Sequence, residues 1–447
     1  MMAFCALRLQ TLAHPLICRM RLSSVLAPPQ KSRLARGALP SHVRLLSLGV
    51  GSEDHLKNST MTRQMWEYAK KKEFKLNLSE LIKFGRDADK NTLLMSAVFL
   101  QKELPIRLGK RIQELQSLPV PMYSTKAVTE LAMLYEESFF RILNHEVPRH
   151  SRAEESFSAM LIDIKEKHRM VQANIADGFL EMNRAGVPKW AVESDEIQQL
   201  LNRFYTGRIG IRLLIDQHLS LRRDAEERRE VDEIYKRKGI DARNRPKRFV
   251  GCVQTECNIK EVILDAVADA RSACRMHLRD APNVYVEGMT EVTAPYIPEH
   301  LYIMLFEILK NSMRATVELH GRLSNSHSPK YGDDLPPTKI LISGGQDTYV
   351  KITDRGGGIP PQSLDRIWNF SFSTAPQGML ELSGFGHGLP LSRLYARYWG
   401  GDITLFSMEN LGVDCYVRLG VPVNSQNNSI PDWKKRENNA GQFKDAP

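Results

Sequence analysis

No aspartate or glutamate occurs in the first 52 residues of this 447-residue chain. Nor does any apolar run approach the roughly 20 residues that a membrane-crossing helix needs, so no membrane span is expected. Paired cysteine spacing is missing too. Cys5, Cys18, Cys252, Cys257, Cys274 and Cys415 are scattered along the chain. That scatter argues against a disulfide framework or a thiolate metal site and leaves a reduced compartment with ordinary packing as the expectation.

The acid-free opening also accounts for the charge. A formal +10 would suit a nucleic-acid surface if it were spread over the fold. Seven of the bases, Arg8, Arg19, Arg21, Lys31, Arg33, Arg36 and Arg44, lie in the opening segment, and without them about +3 remains. No nucleic-acid partner is therefore expected. An Arg- and Ser-rich, acid-free, patchily apolar leader is the pattern of a mitochondrial transit peptide rather than a secretory signal. It is assigned to residues 1–55, with import into the mitochondrial matrix and trimming before about Leu76 expected.

Hydrophobic residues make up 42% of the chain, enough for real cores in two or three domains. Between 76 and 221, four long segments carry apolar residues at helical spacing. They are "KNTLLMSAVFLQKELPIRLGKRIQELQSLP", "AVTELAMLYEESFFRILNHE", "SFSAMLIDIKEKHRMVQANIADGFLEM" and "SDEIQQLLNRFYTGRIGIRLLIDQHLSL". Four amphipathic helices with one stripe each are buried most simply as an antiparallel four-helix bundle. Residues 222–248 are too charged to face a core and are read as a solvated helix and linker. After Phe249 the short runs "NVYVEG", "KILISGG", "TYVKITD", "DITLFSM" and "VDCYVRLGV" alternate with helical segments. They predict an α/β layer, a sheet covered by helices on one face, over 249–422, before a polar tail at 423–447.

Four features of this second region carry chemistry. In "EILKNSMR", Glu307, Lys310, Asn311 and Arg314 fall at i, i+3, i+4 and i+7, on one helical face. Met304 and Ile303 flank that strip, which suggests a partly enclosed surface rather than a solvated one. Asparagine oxygen suits Mg²⁺ that also touches phosphates, and Glu307 is placed to take a proton from an attacking hydroxyl. In "TYVKITDRGGGIP" a strand ends at Asp354 just before Gly356, Gly357 and Gly358, and a carboxylate there can accept from an exocyclic amine. "FSFSTAP" offers Ser373 and Thr374 to a nucleotide. "GFGHGLP" runs Gly384, Phe385, Gly386, His387, Gly388, Leu389 and Pro390, glycines at every second position followed by a helix expected to start at Pro390.

That succession resembles the Bergerat-type nucleotide-binding domain shared by histidine kinases, Hsp90 chaperones, type II topoisomerases and MutL proteins. "LFEILKNSMRATVE", "DRGGGIP", "STAP" and "GFGHGLPLSRLYARYWGGDITLFSM" carry a closer similarity. Together with "LIKFG", "FLQKELPIRL" and "NRFYTGRIGIRLLIDQH" in the bundle, they are similar, over about Leu78 to Leu419, to the mitochondrial protein kinases of the 2-oxoacid dehydrogenase complexes. The fold implied is an antiparallel four-helix bundle followed by an α/β sandwich ATP-binding domain.

The resemblance implies a serine kinase that switches off the decarboxylating α subunit of the complex. It implies ATP and Mg²⁺ as cofactors, K⁺ as an accessory ion, docking on the lipoyl domain of the acyltransferase core, and a homodimer. It further implies Glu307 as base, Asn311 as Mg²⁺ ligand and Asp354 as adenine partner. Lys310, Arg314, Gly356, Gly358, Ser373, Thr374 and Gly384 to Leu389 surround the nucleotide, and His168 is a bundle histidine near the cleft. "STAP", the close spacing before "GFG" and the tail pair Asp432 and Trp433 favour the pyruvate dehydrogenase kinases.

Two positions depart from that pattern. Ile303 stands where those kinases often carry a histidine one turn before the base, a position at which the branched-chain kinases are closer. Val413 stands where a threonine is usual, costing a hydroxyl expected to contact phosphate. Both keep a weak regulatory pseudokinase open as an alternative. A protein-histidine kinase would need an acidic residue after its phospho-acceptor, yet His218 precedes Leu219 and His168 precedes Arg169. An ATP-driven clamp would need a further gating domain.

Overall fold

The computed structural model describes residues 60–75, 77–86, 89–237, 249–323, 335–345, 347–373 and 386–420. The leader, residues 238–248 of the charged stretch, Thr374, Gly384, Phe385 and the Asp432–Trp433 tail lie outside the described residues.

Helices dominate the first half. After α1 (Thr60–Ala69) and α2 (Leu78–Gly85) come α3 (Lys90–Gln116), α4 (Lys126–Leu143), α5 (Ser151–Lys167), α6 (Val171–Arg184) and α7 (Asp195–Arg237). Their starts follow from capping chemistry: Asp89 accepts from the Thr92 amide at 2.7 Å, and Thr125 caps α4 through the Val128 amide. Helix α3 packs against α4 and α7, and α4 against α6. Leu100, Leu104, Leu108, Phe139, Phe157 and Phe204 are buried between them.

Two details differ from the sequence expectation. The third segment, expected as one helix, is two, broken by a 3₁₀ turn at His168–Met170. The cause is tertiary: the His168 carbonyl accepts from the Arg208 guanidinium at 2.8 Å, which draws that carbonyl out of the regular ladder. Helix α7 in turn runs unbroken to Arg237, past the boundary read at 221.

His218 is fully buried in this bundle. Its Nδ1 meets Ser96 Oγ at 3.0 Å and its Nε2 meets Ser158 Oγ at 2.9 Å. Ser158 donates to Glu154, which Arg222 neutralises at 2.9 Å. Every polar atom of the imidazole is thus satisfied inside the core, as a packing histidine requires.

The second half is a mixed sheet. Strands β3 (Val284–Gly288), β5 (Thr338–Ser343), β6 (Thr348–Thr353), β8 (Gly412–Leu419) and β7 (Asp402–Met408) lie side by side in that order, with only β3–β5 parallel. All five correspond to runs read as strands. Alternate residues such as Ile340, Ile342, Val350, Ile352, Cys415 and Val417 are buried on one face, against α8 (Ile259–Leu278) and α9 (Pro298–Leu323).

A small antiparallel sheet of β1 (Phe249–Val250), β2 (Val253–Asn258) and β4 (Thr293–Tyr296) was not evident in the sequence. Its strands are short, β2 lacks clean alternation, and β4 holds Pro295. Cys252, Cys257, Cys274 and Cys415 form no disulfide. Among the described residues no helix is long and apolar enough to cross a membrane.

Candidate nucleotide site

The polar strip of α9 is enclosed, as its flanking apolar residues suggested. Lys310 is buried, while Glu307, Asn311 and Arg314 are half-buried. Lys310 Nζ lies 2.8 Å from both oxygens of Glu307 and 5.2 Å above the Phe306 ring. Lysine three residues on is therefore spent on orienting the carboxylate. Ile303, one turn before Glu307, offers it no hydrogen bond, and Lys310 fills that office instead. Arg314 turns along the helix toward Glu318 at 3.7 Å.

The strand-end carboxylate is set with equal care. Asp354 is buried, and its Oδ1 accepts from the amides of Gly356 at 2.9 Å and Val413 at 3.2 Å. Burial pushes its acid pKa up, while those two amides and the Ser312 hydroxyl of α9 pull the other way.

Val413 is a correction. Its missing hydroxyl was expected among phosphates, but the residue exchanges backbone bonds with Asp354, whose amide donates to the Val413 carbonyl at 3.0 Å. The change falls beside the strand-end carboxylate.

The third wall is the start of α10 (Gly388–Tyr398), two residues earlier than Pro390 had implied. Among the described residues no side chain caps this end, and the backbone amides of a helix start suit an anionic acceptor. Gly388 sits so close to α9 that a Cβ there would lie 2.2 Å from Glu307 Oε2. Backbone amides, the Glu307–Lys310 pair and the Asp354 pocket therefore converge around α9. An uncapped helix start fits phosphate, and an acceptor at a strand end fits an exocyclic amine.

Of the remaining predicted residues, Gly356 serves through its amide, and Ser373 is half-buried next to Phe372, over whose ring the Arg366 guanidinium lies. Gly386 and His387 lead directly into α10. His168 is buried in the helical bundle. Its Nε2 is 2.8 Å from Ser138 Oγ, its ring is 4.5 Å from that of Tyr135, and burial with the nearby charges of Arg208 and Arg212 pushes its pKa down to about 3. It is a neutral imidazole inside the bundle.

Fold and site together define an ATP-binding domain, and residues 296–424 match the family model for histidine kinase-, DNA gyrase B-, and HSP90-like ATPases. Residues 75–254 match the model for mitochondrial branched-chain alpha-ketoacid dehydrogenase kinase. A mitochondrial pyruvate dehydrogenase (acetyl-transferring) kinase, isozyme 3, from Mus musculus is 34% identical over 83% of this chain and 87% of its own. Its counterpart in Drosophila melanogaster is 35% identical over 80% and 84%, and that in Arabidopsis thaliana 36% identical over 77% and 89%. The chain belongs to the family of mitochondrial protein kinases of the 2-oxoacid dehydrogenase complexes.

Proposed function

We propose that the protein is a Mg-ATP-dependent serine kinase of the mitochondrial matrix that phosphorylates, and so inactivates, the decarboxylating α subunit of the pyruvate dehydrogenase complex. The observation that carries this is the convergence of Glu307, Asp354 and the uncapped start of α10 on one helix. Relatives named as pyruvate dehydrogenase kinases at 34–36% identity supply the substrate class.

ATP and Mg²⁺, when bound, supply the electrophilic phosphorus and spread its charge. Asp354 would accept from the adenine amine, and the Asn311 oxygen would hold Mg²⁺. Mg²⁺ bound with ATP keeps several waters and needs few protein ligands beside the phosphates. The backbone amides at the start of α10 would face the phosphates. Glu307, aimed by Lys310, takes the proton of the serine hydroxyl as it attacks.

Asn311→Ala should abolish the Mg²⁺-dependent part of ATP binding, read by calorimetry with and without the ion, and unchanged affinity would remove Asn311 from the metal site. Ile303→His is expected to be neutral or activating in turnover, and a clear loss would show that the isoleucine is required.

The outer face of the sheet leaves Tyr285, Leu341, Tyr349, Phe406 and Met408 exposed. A second copy of the chain would cover it, consistent with the homodimer that the resemblance implies. Docking on a lipoyl domain and use of K⁺ rest on the resemblance alone. Matrix import is tested by fusing residues 1–60 to a fluorescent reporter, and a diffuse cytosolic signal would refute it.

A second reading, the branched-chain complex, is favoured by the match at 75–254 and by Ile303. Incubating the mature protein with each dehydrogenase complex and radiolabelled ATP separates the two. Label on the pyruvate dehydrogenase α subunit is expected, and label confined to the branched-chain subunit would overturn the proposal.

A further inference from the structure

The phosphate wall of the site is fastened to the helical bundle through one carboxamide. Gln198, buried on the first turns of α7, accepts from the Phe370 amide at 2.7 Å through Oε1 and donates from Nε2 to the Phe370 carbonyl at 3.4 Å. These residues are 172 positions apart in sequence. A side chain that satisfies both the N–H and the C=O of one residue mimics a strand partner and fixes that residue's rotation as well as its position.

The fixed residue sits at a demanding place. Phe370 is fully buried, its ring stacked at 4.9 Å on Tyr205 of α7. Ser371, next in line, has φ 71, a left-handed conformation that a non-glycine residue keeps only when its surroundings impose it. That turn brings the chain against Gly386, where a Cβ would lie 2.6 Å from the Phe372 carbonyl oxygen and 2.8 Å from the Ser371 carbonyl carbon.

His387 follows, buried, with its ring 5.5 Å from Phe370, 6.0 Å from Tyr205 and 6.2 Å from Phe179 of α6. Gly388 then touches Glu307. An unbroken run of contacts therefore leads from a bundle carboxamide through Phe370, Gly386 and His387 to the catalytic carboxylate. A second tie lies beside it, where Arg366 forks onto Glu193 at 2.7 and 3.1 Å, but this one is only partly buried and so more readily screened.

We propose that Gln198 is a positioning residue for phosphoryl transfer: from the bundle, it sets where Gly386 to Gly388 stand over Glu307, and so how tightly ATP is held. The inference rests on the nucleotide site proposed above. It implies that a shift of α7 at its first turns changes nucleotide affinity without any contact between the bundle and ATP.

The test uses the mature chain with two near-isosteric variants. Gln198→Met removes both hydrogen bonds. Gln198→Glu keeps the acceptor for the Phe370 amide but sets a carboxylate oxygen against the Phe370 carbonyl unless the acid is protonated. Both should raise the Kd and KM for Mg-ATP about tenfold or more and lower kcat, because buried backbone groups lose their partners. KM for the protein substrate should stay unchanged.

For Gln198→Glu the ratio of variant to wild-type Kd should fall as pH is lowered from 8 to 6, since the protonated acid regains a donor. That pH-dependent rescue distinguishes positioning from mere loss of fold, and it decides the matter if Gln198→Met fails to fold. Wild-type Kd and kcat in Gln198→Glu at both pH values, or a fall in melting temperature alone, would overturn the inference. Glu307→Gln, measured in parallel, is scored on transfer rate and not on ATP affinity, so a failed base assignment is seen separately.

Discussion

Glu307→Gln should bind Mg-ATP like the wild type and transfer phosphate about 10²–10⁴-fold more slowly. Glutamine keeps the size of the side chain and an oxygen for Lys310, which now holds both carboxylate oxygens at 2.8 Å, but it has no basic site for the serine proton. Gly388→Ala is the matching change from the opposite wall. Its methyl group would meet Glu307 Oε2 at 2.2 Å, so either the carboxylate or the start of α10 must move, and a loss of comparable size is expected with the base chemically intact. Single-turnover phosphorylation of the purified α subunit reads both. Transfer at the wild-type rate by Glu307→Gln would leave that residue only a role in placing water or metal.

Two substitutions at Asp354 should have separable effects. Asp354→Ala leaves the amides of Gly356 and Val413 without their acceptor, at about 1–3 kcal/mol each, and should lower stability as well as ATP affinity. Asp354→Asn can still accept both amides through its oxygen. It should lose only nucleotide affinity, by the roughly 1.5–3 kcal/mol of a charged hydrogen bond.

Burial raises the pKa of Asp354 above the ordinary 3.8. The folded state therefore binds this proton more tightly than the unfolded one, and the penalty for holding the charged form grows as pH rises from 3.8 through the folded value. The stability of Asp354→Asn relative to wild type should accordingly improve between pH 4 and pH 8. Urea unfolding at the two pH values checks the sign, and a difference that falls with pH would mean that the carboxylate is net stabilised where it sits.

Much of this was legible in the chain because the signals are local. The five strands of the main sheet lie in short runs rich in β-branched and aromatic residues, and Glu307, Lys310, Asn311 and Arg314 share a face by spacing alone. What escaped depends on residues far apart in sequence. Nothing near His168 announces that Arg208, 40 residues on, will take its carbonyl and break the helix. Lys310 read as a ligand for nucleotide, whereas its half-buried neighbour Glu307 holds it in an ion pair. Val413 could be recognised as lacking a hydroxyl, but only the pairing with Asp354 shows where that hydroxyl would have pointed. Gln198 carries no sequence signal, since its partners are backbone atoms.

Helix α7 carries a constraint on length. Near its start Gln198 holds Phe370. Farther along, Gln217 repeats the device on the turn between β1 and β2, donating to the Val250 carbonyl at 3.3 Å and accepting from the Cys252 amide at 3.0 Å. Two grips on one rigid rod share a single phase. One residue added between them would rotate the far grip by about 100° and advance it by about 1.5 Å, so no conservative change of side chain could restore both. Insertions and deletions should therefore be refused between Gln198 and Gln217. They should be accepted beyond Ala225, where the helix runs on toward Arg237.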